Sequence, residues 1–282
     1  MKKPTKKLTL IIIAVVAVTV CTSYYLHKQR QVKQQAALVQ LERALTAADA
    51  KAQAKAAQLR AERAQAAAAS QPVLPAAFNK QLRSTDDSNS LWVVVNKQRS
   101  LTPKEYVPPD LVTPNIPLRS VGTSPEMKLR QAAATALETM TAAAKLDGAQ
   151  LMLASGYRSY NTQVVVYANE VRAYGQAIAD TQSARPGFSE HQTGLSADLE
   201  PTSRQCEIAD CFADTIEGKW LALHAHKYGF MIRYTPDKTT VTGYRAESWH
   251  FRYVGADLTA ELQNQNITTL EEFFGLPAAP GY

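Results

Sequence analysis

No stretch of this 282-residue chain restricts its architecture more than LTLIIIAVVAVTVCTSYYL, the run from Leu8 to Leu26. It is 19 residues long and carries no charge, which is close to the roughly 20 residues that a membrane-spanning helix needs. Four lysines precede it within the first seven residues, and lysines on a short N-terminal side favour keeping that end in the cytoplasm. We therefore expect residues 1–27 to form a cytoplasmic tip and a transmembrane anchor, with everything after Leu26 outside the cytoplasm.

A cleaved signal peptide is the alternative interpretation of the same run. A cleavable signal is usually shorter and ends in a small-x-small site, and no such site ends this one. A lipoprotein signal requires a small residue before the cysteine, but Val20 precedes Cys21. An uncleaved anchor is the interpretation that the sequence favours.

The net charge of +6 does not point to nucleic acid, because the positive charge is confined to one end. Residues 1–70 carry 12 Lys/Arg and 3 Asp/Glu, whereas residues 71–282 carry 19 and 22. The part of the chain that can form a globular domain is therefore mildly acidic, and a nucleic-acid-binding role loses its main support.

A long helical stalk is predicted after the apolar run. Residues 28–70 are rich in Ala and Gln and contain no Gly or Pro, so they favour a helix that would be about 65 Å long at about 1.5 Å per residue. The apolar repeat of Leu38, Leu41 and Leu45 continues mostly as alanine, which leaves a helix partner for the stalk as an open alternative. Pro72 and Pro75 then end the helix, and residues 71–89 are predicted to be a linker.

The remaining residues, 90–282, have the pattern of an α+β domain. LWVVVNKQRSLTP at 91–103 predicts two short strands around a turn, and Ser124-Pro125 predicts the start of a helix that ends before Gly148. Further helices are expected over 161–180 and 215–228, with a buried strand over 149–156 and strands at about 195–199, 230–233 and 250–254. We predict one compact α+β domain with a small antiparallel sheet.

The segment FSEHQTGLSADLEP holds the first candidate ligands. His191 and Asp198 are seven residues apart across Gly194, in a chain with only five histidines. A glycine turn allows the chain to double back, so that a strand presents Asp198 to the same point as His191. Zinc takes imidazole nitrogen and carboxylate oxygen, and a catalytic site has three protein ligands with one open position.

AESWHFRYVG supplies the third candidate ligand, His250, with Glu247 three residues before it. Positions three apart on a regular strand face opposite sides, so the backbone must bend at Ser248–Trp249 if both side chains point inward. Glu247 would then lie at the open position of the metal, where a general base is required. From the residues alone, ordinary structural roles for both histidines remain open, and His224 and His226 are assigned to that class.

Two cysteines remain outside the apolar run, and their state is left open. Cys206 and Cys211 are five residues apart, a spacing that allows a disulfide in an oxidising compartment and equally allows two buried thiols.

Three motifs carry a family resemblance: SGYRS at 155–159, FSEHQTGLSADLEP at 188–201 and ESWHFRYVG at 247–255. In order and spacing they resemble the VanY-type zinc D-alanyl-D-alanine carboxypeptidases, which share a metal-site fold with murein endopeptidases and the zinc domain of hedgehog proteins. The resemblance extends over about 90–275. Ser196-Ala197 and the Cys206–Cys211 segment depart from the family pattern.

The resemblance implies roles for individual residues. His191, Asp198 and His250 would bind Zn²⁺, and Glu247 would be the catalytic base. Arg158 would face the substrate, and Gln163 and Ser189 would add hydrogen bonds to it.

The resemblance also implies a function: removal of the C-terminal D-Ala from peptidoglycan stem pentapeptides, by an enzyme held at a bacterial cell membrane by one spanning helix. An L,D-carboxypeptidase or a peptidoglycan endopeptidase of the same fold is the alternative that keeps the peptidase chemistry and changes the bond that is cleaved. A zinc-containing cell-wall binding module without turnover is the alternative of a different functional class, although a retained base at Glu247 argues against it.

Overall fold

The computed structural model describes residues 78–282, together with residues 28–31, 33, 35, 40, 43, 45–48, 50, 51 and 53–58. The chain divides into two compact units, Met1–Ala76 and Ala77–Tyr282. All described residues of the first unit are α-helical and exposed. The segment boundaries drawn from the sequence after residues 27, 70 and 89 stay predictions.

The predicted location at a membrane is the expectation that has to be corrected. Within the part of the chain that the structure describes, no helix has the length and apolar character that crossing a bilayer requires. The longest helix of the second unit, Gln131–Leu146, has 16 residues and includes Glu138 and Lys145, whereas a spanning helix needs roughly 20 apolar residues. The assignment as a single-pass membrane protein is therefore wrong for the described residues, and the run Leu8–Leu26 lies outside them.

The second unit is built on antiparallel strands, as predicted. Strands β1 (Leu111–Val112) and β2 (Leu129–Arg130) form a two-stranded sheet. Strands β3 (Leu151–Ser155), β4 (Ser196–Pro201), β5 (Phe230–Tyr234) and β6 (Glu247–Tyr253) form a four-stranded sheet in the order β3-β4-β6-β5. Every neighbouring pair in the larger sheet is antiparallel. The architecture is therefore α+β, a single domain with small antiparallel sheets.

Seven helices accompany the strands in the region 78–282. They are α1 (Gln131–Leu146), α2 (Tyr160–Tyr174), α3 (Gln176–Gln182), α4 (Ile216–His224), α5 (Thr239–Thr242), α6 (Ala256–Asn264) and α7 (Leu270–Phe274). The predicted helix over 161–180 is two helices, because Gly175 has a φ of +79° and interrupts the hydrogen-bonding pattern. The predicted hairpin at 91–103 is wrong, since this segment contains only an isolated bridge between Asn96 and Arg99.

Helix α1 packs one apolar face into the main core. Its fully buried residues Ala133, Leu137, Met140 and Ala144 recur every three or four positions, so they share one side of the helix. They contact the sheet residues Leu151, Leu153, Leu199 and Phe251 in one hydrophobic cluster. Truncating a buried leucine such as Leu137 to alanine would cost about 2–5 kcal/mol.

The two faces of strand β4 have different roles. Ala197 and Leu199 point into the core cluster, and successive side chains of a strand point to opposite faces. Asp198 therefore lies on the other face of the sheet, where it is the direct cross-strand partner of His250 on β6. The register of the sheet thus brings together a carboxylate and an imidazole from residues 52 positions apart.

Candidate metal centre and active-site cleft

Three of the predicted site residues form one buried cluster. His191 lies on a 3-10 helix at Glu190–Thr193, and Asp198 and His250 are the cross-strand pair of β4 and β6. One potential ligand atom from each residue lies within 4.8 Å of the other two, and all three side chains are buried. His224 and His226, which were assigned to structural roles, are not part of this cluster.

The glycine turn explains how His191 reaches Asp198. Gly194 ends the 3-10 helix in the left-handed conformation, with a φ of +67°. A Cβ atom there would lie 2.9 Å from Leu111 Cδ2 and 3.0 Å from Arg130 Cγ, so only glycine fits both the conformation and the space. The chain then enters β4 two residues later, as the sequence predicted.

The ring of His191 has a defined orientation. Its Nδ1 lies 2.7 Å from the carbonyl oxygen of Gly156, and a carbonyl oxygen can only accept, so Nδ1 carries the proton. Its Nε2 is then the atom left for a ligand, 3.2 Å from Asp198 Oδ2. Burial lowers the pKa of His191, which favours the neutral imidazole that a metal requires.

His250 presents the other ring nitrogen. Its Nδ1 lies 3.3 Å from Asp198 Oδ1, and its Nε2 lies 3.4 Å from Glu190 Oε2 on the far side of the ring. The ring of Tyr234 packs against it, with centroids 4.9 Å apart. Burial opposes a charge on His250, but hydrogen bonds to Asp198 and Glu190 raise its pKa to about 9, so the surroundings favour positive charge at this point.

The donor set fits a divalent ion. Asp198 Oδ1 is buried and accepts no hydrogen bond of good geometry, although His250 Nδ1 lies 3.3 Å away. A bound cation would satisfy this oxygen. Burial alone would raise the pKa of Asp198, but His191 and His250 hold it well below its usual range. Two imidazole nitrogens and one carboxylate oxygen are a donor combination found in catalytic zinc sites.

Glu247 lies beside this cluster. Its Oε2 is 3.5 Å from His250 Nδ1, and its side chain is 13% exposed. The expected irregularity in β6 is present: pairing with β5 shifts register between Ile232 and Tyr234, the residues opposite Phe251 and Glu247. Burial raises the pKa of Glu247 to about 7, and a carboxylate of that proton affinity suits a general base near neutral pH.

Arg158 lies in the same cleft and is held by three contacts. Its backbone N–H donates to the His191 carbonyl, at 3.1 Å. Its guanidinium donates to Gln163 Oε1 and Ser155 Oγ, both at 3.2 Å. The half-buried guanidinium thus keeps donors free for a planar anionic group such as a carboxylate.

The other two predicted substrate contacts have different surroundings. Ser189 is buried and lines the cleft. Gln163 is fully buried behind Arg158, with its amide donating to the Ala184 carbonyl at 2.7 Å. The structure therefore gives Gln163 a role in orienting Arg158, and direct contact of Gln163 with a substrate stays a prediction.

The cluster forms the floor of an open cleft of about 490 Å³. Helices α2 and α3 form one wall of the cleft, through Val166, Glu170, Tyr174 and Gln182. The rest of the lining includes Ile208, Tyr244 and Trp249. Ile208 belongs to the loop closed by Cys206 and Cys211, which form a disulfide. The cleft volume is in the range of small-molecule and peptide sites, about 300–1,000 Å³.

Four charged residues behind His250 have no counterpart in the sequence predictions. Glu190, Arg233, Arg252 and Glu271 are all fully buried and joined by ion pairs. Glu190 is next to His191 in the FSEHQTG segment. Its position inside this motif is the one sequence signal that could have indicated a role for Glu190. The other three come from β5, β6 and α7, far apart in the chain.

Comparison with known proteins places this site in a family context. The family model described as VanY: D-alanyl-D-alanine carboxypeptidase matches residues 126–256, the range that contains all the predicted site residues. The chain is also 42% identical over 193 residues to the "Putative carboxypeptidase YodJ" of Bacillus subtilis (strain 168), which is 68% of this chain and 70% of that protein.

Two solved structures share the fold. The LdcB LD-carboxypeptidase, described with the molecular basis of peptidoglycan recognition, matches with a TM-score of 0.63 and 42% identity, over 67% of this chain and 87% of that chain. The second structure is the vancomycin resistance D,D-pentapeptidase VanY from a VanB-type cassette, in complex with Zn(II). It matches with a TM-score of 0.54 and 29% identity, over 64% of this chain and 97% of that chain.

Proposed function

Because the chain belongs to the VanY family of D-alanyl-D-alanine carboxypeptidases, and is therefore a carboxypeptidase, we propose that it uses a zinc ion to remove the C-terminal D-Ala from peptidoglycan stem peptides. The observation that carries this proposal is the buried cluster of His191, Asp198 and His250 with Glu247 beside it. The peptidoglycan substrate is supported by the relatives.

In the proposed site, the ion would be held by His191 Nε2, a carboxylate oxygen of Asp198 and His250 Nδ1. A zinc ion bound there would polarise the scissile carbonyl and lower the pKa of water toward neutrality. The buried Asp198 Oδ1 supports this assignment, since it accepts no well-aligned hydrogen bond and a cation would satisfy it.

Glu247 and Arg158 supply the remaining chemistry. Glu247 accepts a proton from the attacking water and later passes it to the leaving amine, so one carboxylate serves both transfers. Arg158 offers its guanidinium to the free C-terminal carboxylate or to the negative charge that develops on the carbonyl oxygen. Ser189 adds a hydroxyl at the wall of the cleft.

The bond that is cleaved is proposed to be D-Ala-D-Ala of the pentapeptide. The matched family model carries that description, and the VanY neighbour is a D,D-pentapeptidase. L,D cleavage of the tetrapeptide is the second candidate, and the higher identity to the LdcB LD-carboxypeptidase, 42% against 29%, favours it. Both reactions release D-Ala and use the same residues.

The test is incubation of the purified protein with defined tri-, tetra- and pentapeptide stems, with and without a chelator, followed by mass spectrometry of the products. We expect loss of one D-Ala from the pentapeptide, and no loss after chelation. Loss of D-Ala from the tetrapeptide alone would establish the L,D candidate instead. Cleavage inside the stem would indicate an endopeptidase, and binding without any product would indicate a non-catalytic module.

A further inference from the structure

We propose that Glu190 is a positioning residue that holds the His250 ring with Nε2 protonated and Nδ1 free toward the metal. This inference rests on the proposed function, because it assumes that His250 is a ligand of the zinc ion. Neither the sequence motifs nor the family resemblance assigned a role to Glu190.

The two oxygens of the Glu190 carboxylate have different partners. Oε1 accepts from Arg233 Nε at 2.8 Å and from Arg252 Nη1 at 2.9 Å. Oε2 accepts from Ser196 Oγ at 3.2 Å and from His250 Nε2 at the longer distance of 3.4 Å. All of these side chains are buried, so water does not compete for the contacts.

Both arginines are themselves fixed. Arg233 also donates to both oxygens of Glu271, at 2.9 and 2.7 Å. Arg252 also donates to the carbonyl oxygens of Leu91 and Val93, at 3.1 and 2.8 Å. The carboxylate of Glu190 therefore cannot turn without leaving two buried guanidinium groups short of an acceptor, which is expensive in a buried site.

This arrangement determines which nitrogen of His250 faces the metal. An ionised carboxylate only accepts hydrogen bonds, so the Nε2 that faces Oε2 must carry a proton. Nδ1 faces Asp198 Oδ1 and Glu247 Oε2, so it is the nitrogen that would give up its proton to a cation bound beside these carboxylates, and its lone pair would then point to the ion. Hydrogen bonds from carboxylates to the second ring nitrogen fix the tautomer and orientation of metal-binding histidines in this way.

A glutamine at this position would reverse the pattern. Its single oxygen has to face the two arginines, because an NH₂ group there would point donors at donors. The NH₂ group then faces His250 Nε2, which can now only accept, so the proton of the neutral ring moves to Nδ1. Nδ1 is then blocked as a ligand, although the volume of the side chain is unchanged.

The test compares Glu190→Gln with a matched control, Glu271→Gln. Glu271 is equally buried and pairs with the same arginine. Its glutamine variant keeps an oxygen that accepts from Arg233 and leaves both Glu190 Oε1 hydrogen bonds in place. Zinc affinity of the metal-free proteins is measured by competition with a chelator, on samples whose folding is checked by circular dichroism. We expect Glu190→Gln to bind zinc about 10- to 100-fold more weakly than wild type, and Glu271→Gln to bind as wild type does even where its unfolding temperature is lower.

If Glu190→Gln does not fold, a measurement on the wild type alone still tests the role of Glu190. In the zinc-loaded wild type, long-range ¹H–¹⁵N correlation of the His250 ring is expected to show a protonated Nε2 and an unprotonated Nδ1. A protonated Nδ1, or equal zinc affinities of Glu190→Gln and wild type, would overturn the role of Glu190. Absence of zinc binding by the wild type would instead overturn the proposed function.

Discussion

Replacing Glu247 with glutamine separates catalysis from metal binding. The side chain lies 3.5 Å from His250 Nδ1 and is 13% exposed, so the isosteric amide fits the same space. Glutamine cannot accept and return a proton, whereas the three ligand side chains are unchanged. We therefore expect Glu247→Gln to bind zinc stoichiometrically and to lose most of its turnover.

The expected size of the loss follows from the two proton transfers assigned to Glu247. Positioned general acid–base groups contribute about 10²–10⁴-fold, and the upper part of that range applies because one residue serves both steps. A 10⁴-fold loss corresponds to about 5.5 kcal/mol, at about 1.36 kcal/mol for each factor of ten. Burial raises the pKa of Glu247 to about 7, so Glu247 is suited to accept and return a proton near neutral pH.

The assay is release of D-Ala from the preferred stem peptide, together with zinc content by atomic absorption. Glu261→Gln, at a half-buried glutamate on α6 that is hydrogen-bonded to Gln265, is the matched control and is expected to keep wild-type rates. Near-normal turnover of zinc-loaded Glu247→Gln would refute the assignment of the base. Loss of zinc from that variant would show that Glu247 is a ligand instead.

Three further outcomes are expected. His191→Ala removes one of three protein ligands and should lose the metal in a zinc-content measurement, whereas His226→Ala should keep it; full zinc content in His191→Ala would contradict the ligand set. Arg158→Ala should reduce kcat/KM by roughly 10- to 100-fold, mainly through KM, because a charge-assisted hydrogen bond is worth about 1.5–3 kcal/mol; an unchanged KM for peptides with a free C-terminus would exclude a carboxylate contact. Burial opposes the charge on Glu190 and Glu271, but their arginine partners lower both pKa values; unfolding temperatures of the metal-free protein should therefore fall as the pH drops below about 4.3, and values that stay level from about pH 4.3 down to about pH 3 would contradict this.

The sign of the pH effect follows from proton binding. Below the usual pKa of a glutamate, the unfolded chain takes up protons that the folded ion pairs resist, so acid favours unfolding. The stabilisation is thus present above the unfolded-state pKa and is lost as the pH falls toward the folded-state pKa of Glu190 and Glu271.

Local sequence patterns were enough to predict most of helix α1, the antiparallel strands and the approach of His191 to Asp198. The predicted helix start at Ser124-Pro125 is wrong, because a 3-10 turn at Pro125–Met127 and strand β2 precede α1, which begins at Gln131. The apolar spacing of α1 and the turn at Gly194 are both local features. The bend in β6 was also predictable, because Glu247 and His250 could not share a face of a regular strand.

Tertiary contacts decided the features that the sequence did not predict. The apolar residues 91–95 have strand-like composition, but Val94 N–H donates to the Thr85 carbonyl and Arg99 Nε to the Val94 carbonyl, so no hairpin forms. Glu190, Arg233, Arg252 and Glu271 come from separate elements, and no local spacing links them. Pairing of Cys206 with Cys211 likewise depends on the fold of the loop between β4 and α4.

Anomalous diffraction at the zinc edge, from crystals of the metal-loaded protein, would locate the ion and identify its ligand atoms. We expect one strong peak bonded to His191 Nε2, a carboxylate oxygen of Asp198 and His250 Nδ1, with its remaining position toward Glu247. A peak bonded to His250 Nε2, or a peak away from His191 and Asp198, would contradict it.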